Sequence, residues 1–200
     1  MIPCEDTCLI VVDMQGAFLD ASLGALSGGP SVGPLRKALP GTQTLVEHAR
    51  DAGIPVIFTR YVYSPGLVDF GAIRTERARK RYEARALSPE DPGVDIVPEL
   101  APRQGEVVID KSRPSAFYGT RLEPVLTGLG IRNLVICGVT TNICVESTAR
   151  DAGQRDYGTF VARDAVAEFT QDRNDHSLFA IEWFFGKVLS VKEIVNCWEA

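Results

Sequence analysis

Short apolar runs alternate with helix-spaced segments along most of this chain, and few folds accept that rhythm. Residues 8–12, 54–59, 106–110, 133–137 and 157–161 read as strands, with a short sixth at 188–189. Residues 36–52, 120–129, 142–154 and 173–185 carry helical spacing, and a last helix closes the chain. The first two helices stop at Gly53 and Gly130, the residue type suited to the left-handed position after a helix. Strands that are apolar throughout, separated by helices, imply a parallel sheet covered on both faces. The expected fold class is a three-layer α/β/α domain with a six-stranded parallel sheet. At 200 residues the chain suits one such domain, spanning 1–200, with no repeat and no second-domain boundary.

Two segments break the rhythm. Residues 21–34 hold Gly24, Gly28, Gly29, Pro30, Gly33 and Pro34 and read as a loop. Residues 61–97 are long, polar and poorly periodic. A segment of that length between strands is expected to be a lid or a binding loop.

Charge and cysteine usage narrow the function classes. The formal net charge of −5 argues against a nucleic-acid surface, which carries a basic excess. No apolar run approaches the ~20 residues of a membrane span. The start, MIPCEDTCLIVVD, places acidic residues where a signal peptide needs basic ones. The expectation is a cytoplasmic protein that acts on a small-molecule substrate, with neither a nucleic acid nor a membrane as partner. Five cysteines, an odd number without a CxxC pair, suggest neither a disulfide framework nor a zinc ribbon.

In an open α/β sheet, chemistry gathers beyond the carboxyl ends of the strands. Three such places carry reactive groups here: Asp13 after the first strand, Lys111 after the third and Cys144 after the fourth. Cys144 sits in ICGVTTNICVESTARDAG, which reads as strand, tight turn and helix, with Asn142 as N-cap. A cysteine in the first turn of a helix meets partial positive charge and free N–H groups. That placement is expected to lower the thiol pKa and to offer an oxyanion site. Each residue alone has an ordinary reading: a packed cysteine, a turn-capping aspartate, a solvated lysine. Together they form a workable hydrolytic set, in which the cysteine attacks, the carboxylate moves protons and the ammonium holds both.

Three stretches then point to a family. VVDMQGAF, DKSRPSAFYGT and GVTTNICVESTARDA resemble, in order and spacing, the signature blocks of the isochorismatase-like cysteine hydrolases. The resemblance runs from the first strand to about Phe185. It implies a Rossmann-like six-stranded parallel sheet, Asp13 as proton-transferring carboxylate, Lys111 as its cationic partner and Cys144 as nucleophile. It also implies a cis peptide at Val139–Thr140, whose turn helps to hold the oxyanion, and a homo-oligomer, dimer or tetramer.

Nicotinamidase-like members bind a metal through an aspartate and two histidines after the second strand. Here that region reads RYVYSPGLVDFG, and the chain holds only His48 and His176. No metal and no cofactor are expected. Isochorismatase proper cleaves a vinyl ether without needing the cysteine, so Cys144 points instead to acyl transfer at a carbonyl. TNICVESTARDAGQRDY and FAIEWFFGKVLS resemble the ureido-group amidohydrolases, those acting on ureidoacrylate, biuret and N-carbamoyl compounds. The expected function is cleavage of a C–N bond in a small ureido, carbamoyl or amide substrate through a thioester. The alternatives are a vinyl-ether hydrolase, a nicotinamidase-like amidase, or a silent binding protein on the same fold. Phe18 and Phe117 are candidates for the pocket wall, and Arg60 for a clamp on a substrate carboxylate. Arg74, Arg77 and Arg81 share one helical face and read either as solvated charge or as a cap over the site.

Overall fold

In the order β3-β2-β1-β4-β5-β6, six parallel strands form one sheet. They are β1 (Thr7–Val12), β2 (Val56–Tyr61), β3 (Val107–Lys111), β4 (Asn133–Val139), β5 (Gly158–Ala167) and β6 (Lys187–Leu189). The helices are α1 (Gly16–Leu19), α2 (Leu39–Asp51), α3 (Glu76–Glu83), α4 (Leu122–Gly128), α5 (Glu146–Gly153), α6 (Gln171–Ala180) and α7 (Val191–Trp198). This is a computed structural model, and it describes residues 2–23 and 32–199. The glycine-rich part of the expected 21–34 loop therefore lies outside the described residues, while Ala21–Leu23 forms a 3-10 turn. Among the described residues no helix is long and apolar enough to cross a membrane.

Burial explains the sheet. Every residue of β1 is buried, and Leu9, Ile10, Val11 and Val12 have no exposed surface. Each such side chain contributes about 1.5–3 kcal/mol of gross apolar burial. From β1 the chain winds outward to β2 and β3, then returns to place β4 on the other side of β1. The crevice beyond the ends of β1 and β4 is thus the switch point where open sheets of this kind place their ligands.

Several bounds differ from the sequence reading. Strand β2 covers Val56–Tyr61 rather than 54–59. Its late start follows Pro55, which lacks an N–H. Its late end has a side-chain cause. After Val12 the backbone turns away at Asp13, with φ of 50°. The Gln15 amide then takes the place of the departed strand: Nε2 donates to Tyr61 O (3.2 Å) and Oε1 accepts from Tyr61 N–H (2.7 Å). Strand β5 runs to Ala167, not 161, because its partner register shifts between Ile136 and Gly138 and the polar Arg163–Asp164 pair is carried through the irregularity. Gly138, at φ of +110°, lets β4 lie against β1 there, since a Cβ would stand 2.1 Å from Val12 O.

The segment 61–97 folds into short pieces: 3-10 turns at Pro65–Leu67 and Pro92–Val94 flank α3. Helix α3 starts at Thr75, whose hydroxyl accepts from Ala78 N–H, so Arg74 lies outside it. No side chain of α3 is fully buried.

Candidate active site

The end of β1, the end of β3 and the turn after β4 bring Asp13, Lys111 and Cys144 together. Lys111 Nζ donates to Asp13 Oδ2 at 2.7 Å, and neither side chain has exposed surface. The thiol of Cys144 lies within hydrogen-bonding reach of both groups. The second Asp13 oxygen, Oδ1, accepts from the Thr59 hydroxyl at 2.6 Å. Lys111 Nζ also donates to Arg113 O (3.2 Å) and stands 4.5 Å over the Tyr61 ring.

The nucleophile turn departs from the expected cap. Thr140 is the residue in extended conformation before the turn, Thr141–Val145 is a π-helical turn, and α5 follows it. Asn142 is inside this turn and donates its N–H to Glu168 Oε2 (3.2 Å). The Val139–Thr140 peptide is cis. Thr148 joins the turn to the lysine side of the site: its hydroxyl donates to Cys144 O (2.7 Å) and accepts from Ala116 N–H (3.0 Å).

The expectation of a lowered thiol pKa is corrected. Cys144 is 5% exposed. Burial pushes its thiol up to about 12, and the Lys111 charge opposes this without reversing it. A helix N-terminus is a fractional charge, whereas loss of solvent is a full desolvation of the thiolate. Burial also lowers the Lys111 ammonium, but the charges of Asp13 and Cys144 outweigh it, and its pKa is raised. The resting site is a neutral thiol beside a buried ion pair.

A cavity of about 250 Å³ is lined in part by Cys144. At ~30 Å³ per water it holds on the order of eight waters, the size of a small metabolite. Phe18, Tyr61, Ile143 and Phe169 form its apolar lining, and Arg77, Arg81, Arg173 and Glu168 its charged lining. A larger cavity of about 640 Å³ is lined by Arg60, Asp95, Asp110 and Lys111 but does not reach Cys144.

Phe18 is thus placed in the cavity wall, and two other expected contacts are not. Arg60 is spent elsewhere, bidentate on Asp110 (2.8 and 2.9 Å) and bonded to Asp95 (3.1 Å). Strand alternation is the reason: Thr59 and Tyr61 face the site, so Arg60 between them faces away. Phe117 packs on Tyr157 (5.9 Å between centroids) and under Arg155 (4.9 Å), because the Ala116 anchor on Thr148 turns it toward them. His48 faces Glu199 at 3.4 Å, and His176 is exposed on α6. Among the described residues no group of three or more His, Cys, Asp or Glu side chains is placed to hold a metal ion. Sequence reading missed Thr59, Gln15, Glu168 and Arg173. Thr59 was within reach of it, since it occupies the end of a strand beside Asp13. Glu168 and Arg173 depend on the extension of β5.

The family model of the isochorismatase domain matches residues 7–193. The ureidoacrylate amidohydrolase RutB of Pseudomonas syringae pv. syringae is 38% identical over 94% of this chain and 82% of its own length. RutB of Yersinia enterocolitica is 33% identical over 98% of this chain and 90% of its own. A solved cysteine hydrolase from Pseudomonas syringae pv. phaseolicola has a TM-score of 0.84 at 31% identity, covering 99% of this chain and 94% of that one. N-carbamoylsarcosine amidase from Thermoplasma acidophilum has a TM-score of 0.70 at 26% identity, with 93% and 96% covered.

Proposed function

This chain belongs to the isochorismatase family, and from that membership we propose how its site works and on what. The protein is a cysteine amidohydrolase acting on a non-peptide C–N bond. We assign it a small ureido, carbamoyl or amide substrate, cleaved through a thioester on Cys144. The observation that carries this reading is the buried Lys111–Asp13 pair at 2.7 Å with the thiol against both groups.

Charge conservation fixes the order of steps. A thiolate made by losing a proton to solvent would add a net charge to a dry site, which is costly. Passing the proton from Cys144 to Asp13 leaves the total charge unchanged, and Lys111 then faces the thiolate instead of the carboxylate. The thiolate attacks the carbonyl carbon. Backbone N–H groups of Thr140 and Cys144, on the turn that begins at Val139–Thr140, receive the oxyanion, at about 3–4 kcal/mol per donor in comparable sites. Asp13 returns the proton to the leaving nitrogen, which departs as ammonia or amine. Asp13 then takes a proton from water, the hydroxide attacks the thioester, and that proton returns to the sulfur as the acid leaves.

A reducing compartment, the cytoplasm, suits five unpaired cysteines. A homo-oligomer suits the exposed, stacked Phe179 and Trp183, since an exposed apolar patch marks an interface.

Ammonia release from a panel of ureido acids, carbamoyl amino acids, biuret and nicotinamide tests the reading. Turnover should vanish in Cys144→Ala and survive EDTA. Acid quenching during turnover should leave an acyl adduct on Cys144. Full turnover by Cys144→Ala, or a silent wild-type protein across the panel, would remove it.

A further inference from the structure

The cavity at Cys144 sets three guanidinium groups against one carboxylate. Arg77 and Arg81 come from α3, Arg173 from α6, and the carboxylate is Glu168. Glu168 is already engaged: it accepts the N–H groups of Asn142 (3.2 Å) and Phe169 (2.9 Å) and stands 4.0 Å from Arg173. Among the described residues neither Arg77 nor Arg81 forms an ion pair, so the lining carries more positive than negative charge.

Arg81 is the sharper case. Its Nε is buried and has no hydrogen-bond partner among the described residues. Its guanidinium stands 5.6 Å from the centroid of Tyr61, the ring that Lys111 also faces. Leaving a buried donor unmet is costly, more so on a charged group, and each such atom calls for a reason. Arg77 lies 5.6 Å over Phe169, and burial together with the charges of Arg81 and Arg173 holds it below its ordinary pKa. Little else ties α3 down: Tyr82 meets Phe70 at 5.3 Å, and no α3 side chain is fully buried.

We propose that the substrate carries a carboxylate remote from its scissile carbonyl, received by Arg81 together with Arg77 on α3. The inference rests on the amidohydrolase reading of the same cavity. A carboxylate takes two parallel bonds from a guanidinium fork, and Nε is one of the fork's donors. It would also offset one of the excess positive charges of the lining and dock α3 over the cavity. Among small C–N substrates this favours ureido and carbamoyl acids over neutral ureas and primary amides.

The test compares ammonia release from 3-ureidopropionate and from neutral propylurea. Wild-type kcat/KM should favour the acid by about 10–100-fold, the range a charge-assisted hydrogen bond supplies. The ratio should fall toward one in Arg81→Met and be partly kept in Arg81→Lys, while Arg74→Met, outside the cavity, keeps it. Calorimetric titration of wild-type enzyme with glutarate and the neutral 1,5-pentanediol, neither of which has a C–N bond, gives a readout free of turnover and of variant folding; glutarate should bind the tighter. Equal handling of charged and neutral members in both assays overturns the proposal, however fast the ammonia appears. No turnover of any ureido compound, with glutarate still preferred, overturns the amidohydrolase reading instead and keeps the anion site.

Discussion

The Thr59 side chain holds Asp13 twice, beside a bond from the Asp13 N–H to the Thr59 carbonyl at 3.2 Å. The Asp13 N–H donates to the Thr59 hydroxyl at 3.1 Å, and that hydroxyl donates its own proton to Asp13 Oδ1 at 2.6 Å. One small side chain therefore fixes the rotation of the Asp13 carboxylate and shares with its own carbonyl the N–H of the left-handed residue. Thr59→Val keeps the shape and removes both bonds. Leaving a buried carboxylate oxygen unmet costs about 1–3 kcal/mol. If half of that falls on the transition state, kcat drops roughly 3–10-fold at 1.36 kcal/mol per decade. Thr59→Ser should restore kcat while leaving KM near wild type. Unchanged kcat in Thr59→Val would show that Lys111 alone orients the carboxylate.

The thiol makes a different forecast. With Cys144 pushed up to about 12, alkylation by iodoacetamide in the absence of substrate should keep rising through pH 9 without a plateau. At pH 9 the thiolate fraction is on the order of 500-fold below that of a thiol titrating at 9. Cys137 is pushed to about 12 as well, so resting reactivity should not distinguish the two. A plateau near pH 8–9 on Cys144, read by mass spectrometry, would mean that the free enzyme stores a thiolate.

Lys111 links the site to stability. Its pKa is raised in the folded chain, so its contribution is fully present below the unfolded value of 10.5 and is lost as pH climbs through the folded one. Alkaline unfolding should therefore begin only above that unfolded value. Lys111→Met strands the Asp13 carboxylate, at a cost of about 3–5 kcal/mol. At ~2–4 °C per kcal/mol, Tm should fall by roughly 6–20 °C at neutral pH. Asp13→Asn added to Lys111→Met should recover part of the loss, and an additive double variant would show that the pair does not couple.

The aromatic patch predicts assembly. Phe179 and Trp183 stack at 6.0 Å yet remain 67% and 77% exposed. Light scattering should find a dimer or tetramer in wild type and a smaller species in Trp183→Glu. A monomeric wild type would leave this face without a partner of its own kind.

Legibility followed period and locality. The order of strands and helices was readable because β1 and β4 are apolar throughout, and Gly53 and Gly130 mark helix ends at φ of 69° each. Asp13 and Lys111 were readable because each stands at the end of an apolar run, and Cys144 because it lies on the turn that leaves one. What stayed hidden depends on contacts between distant segments. The end of β2 is held by Gln15, a residue 46 positions away, and no local pattern announces that. The thiol was misjudged because burial is a property of the whole fold, whereas a helix start is visible in four residues. Arg60 was misassigned although strand alternation, counted from Thr59, already points it away from the crevice.

Lys111 stands on the outermost strand of its side of the sheet, and its partner follows the end of β1, with β2 between them. The proton carrier and its counter-ion are also a clasp thrown over an intervening strand, resting on the Tyr61 ring on the way. In the cycle proposed above, the clasp loosens each time Asp13 is protonated and tightens each time the proton leaves. In this architecture the margin of the sheet feels every turnover, and the requirements of chemistry and of mechanical integrity select the same pair of residues.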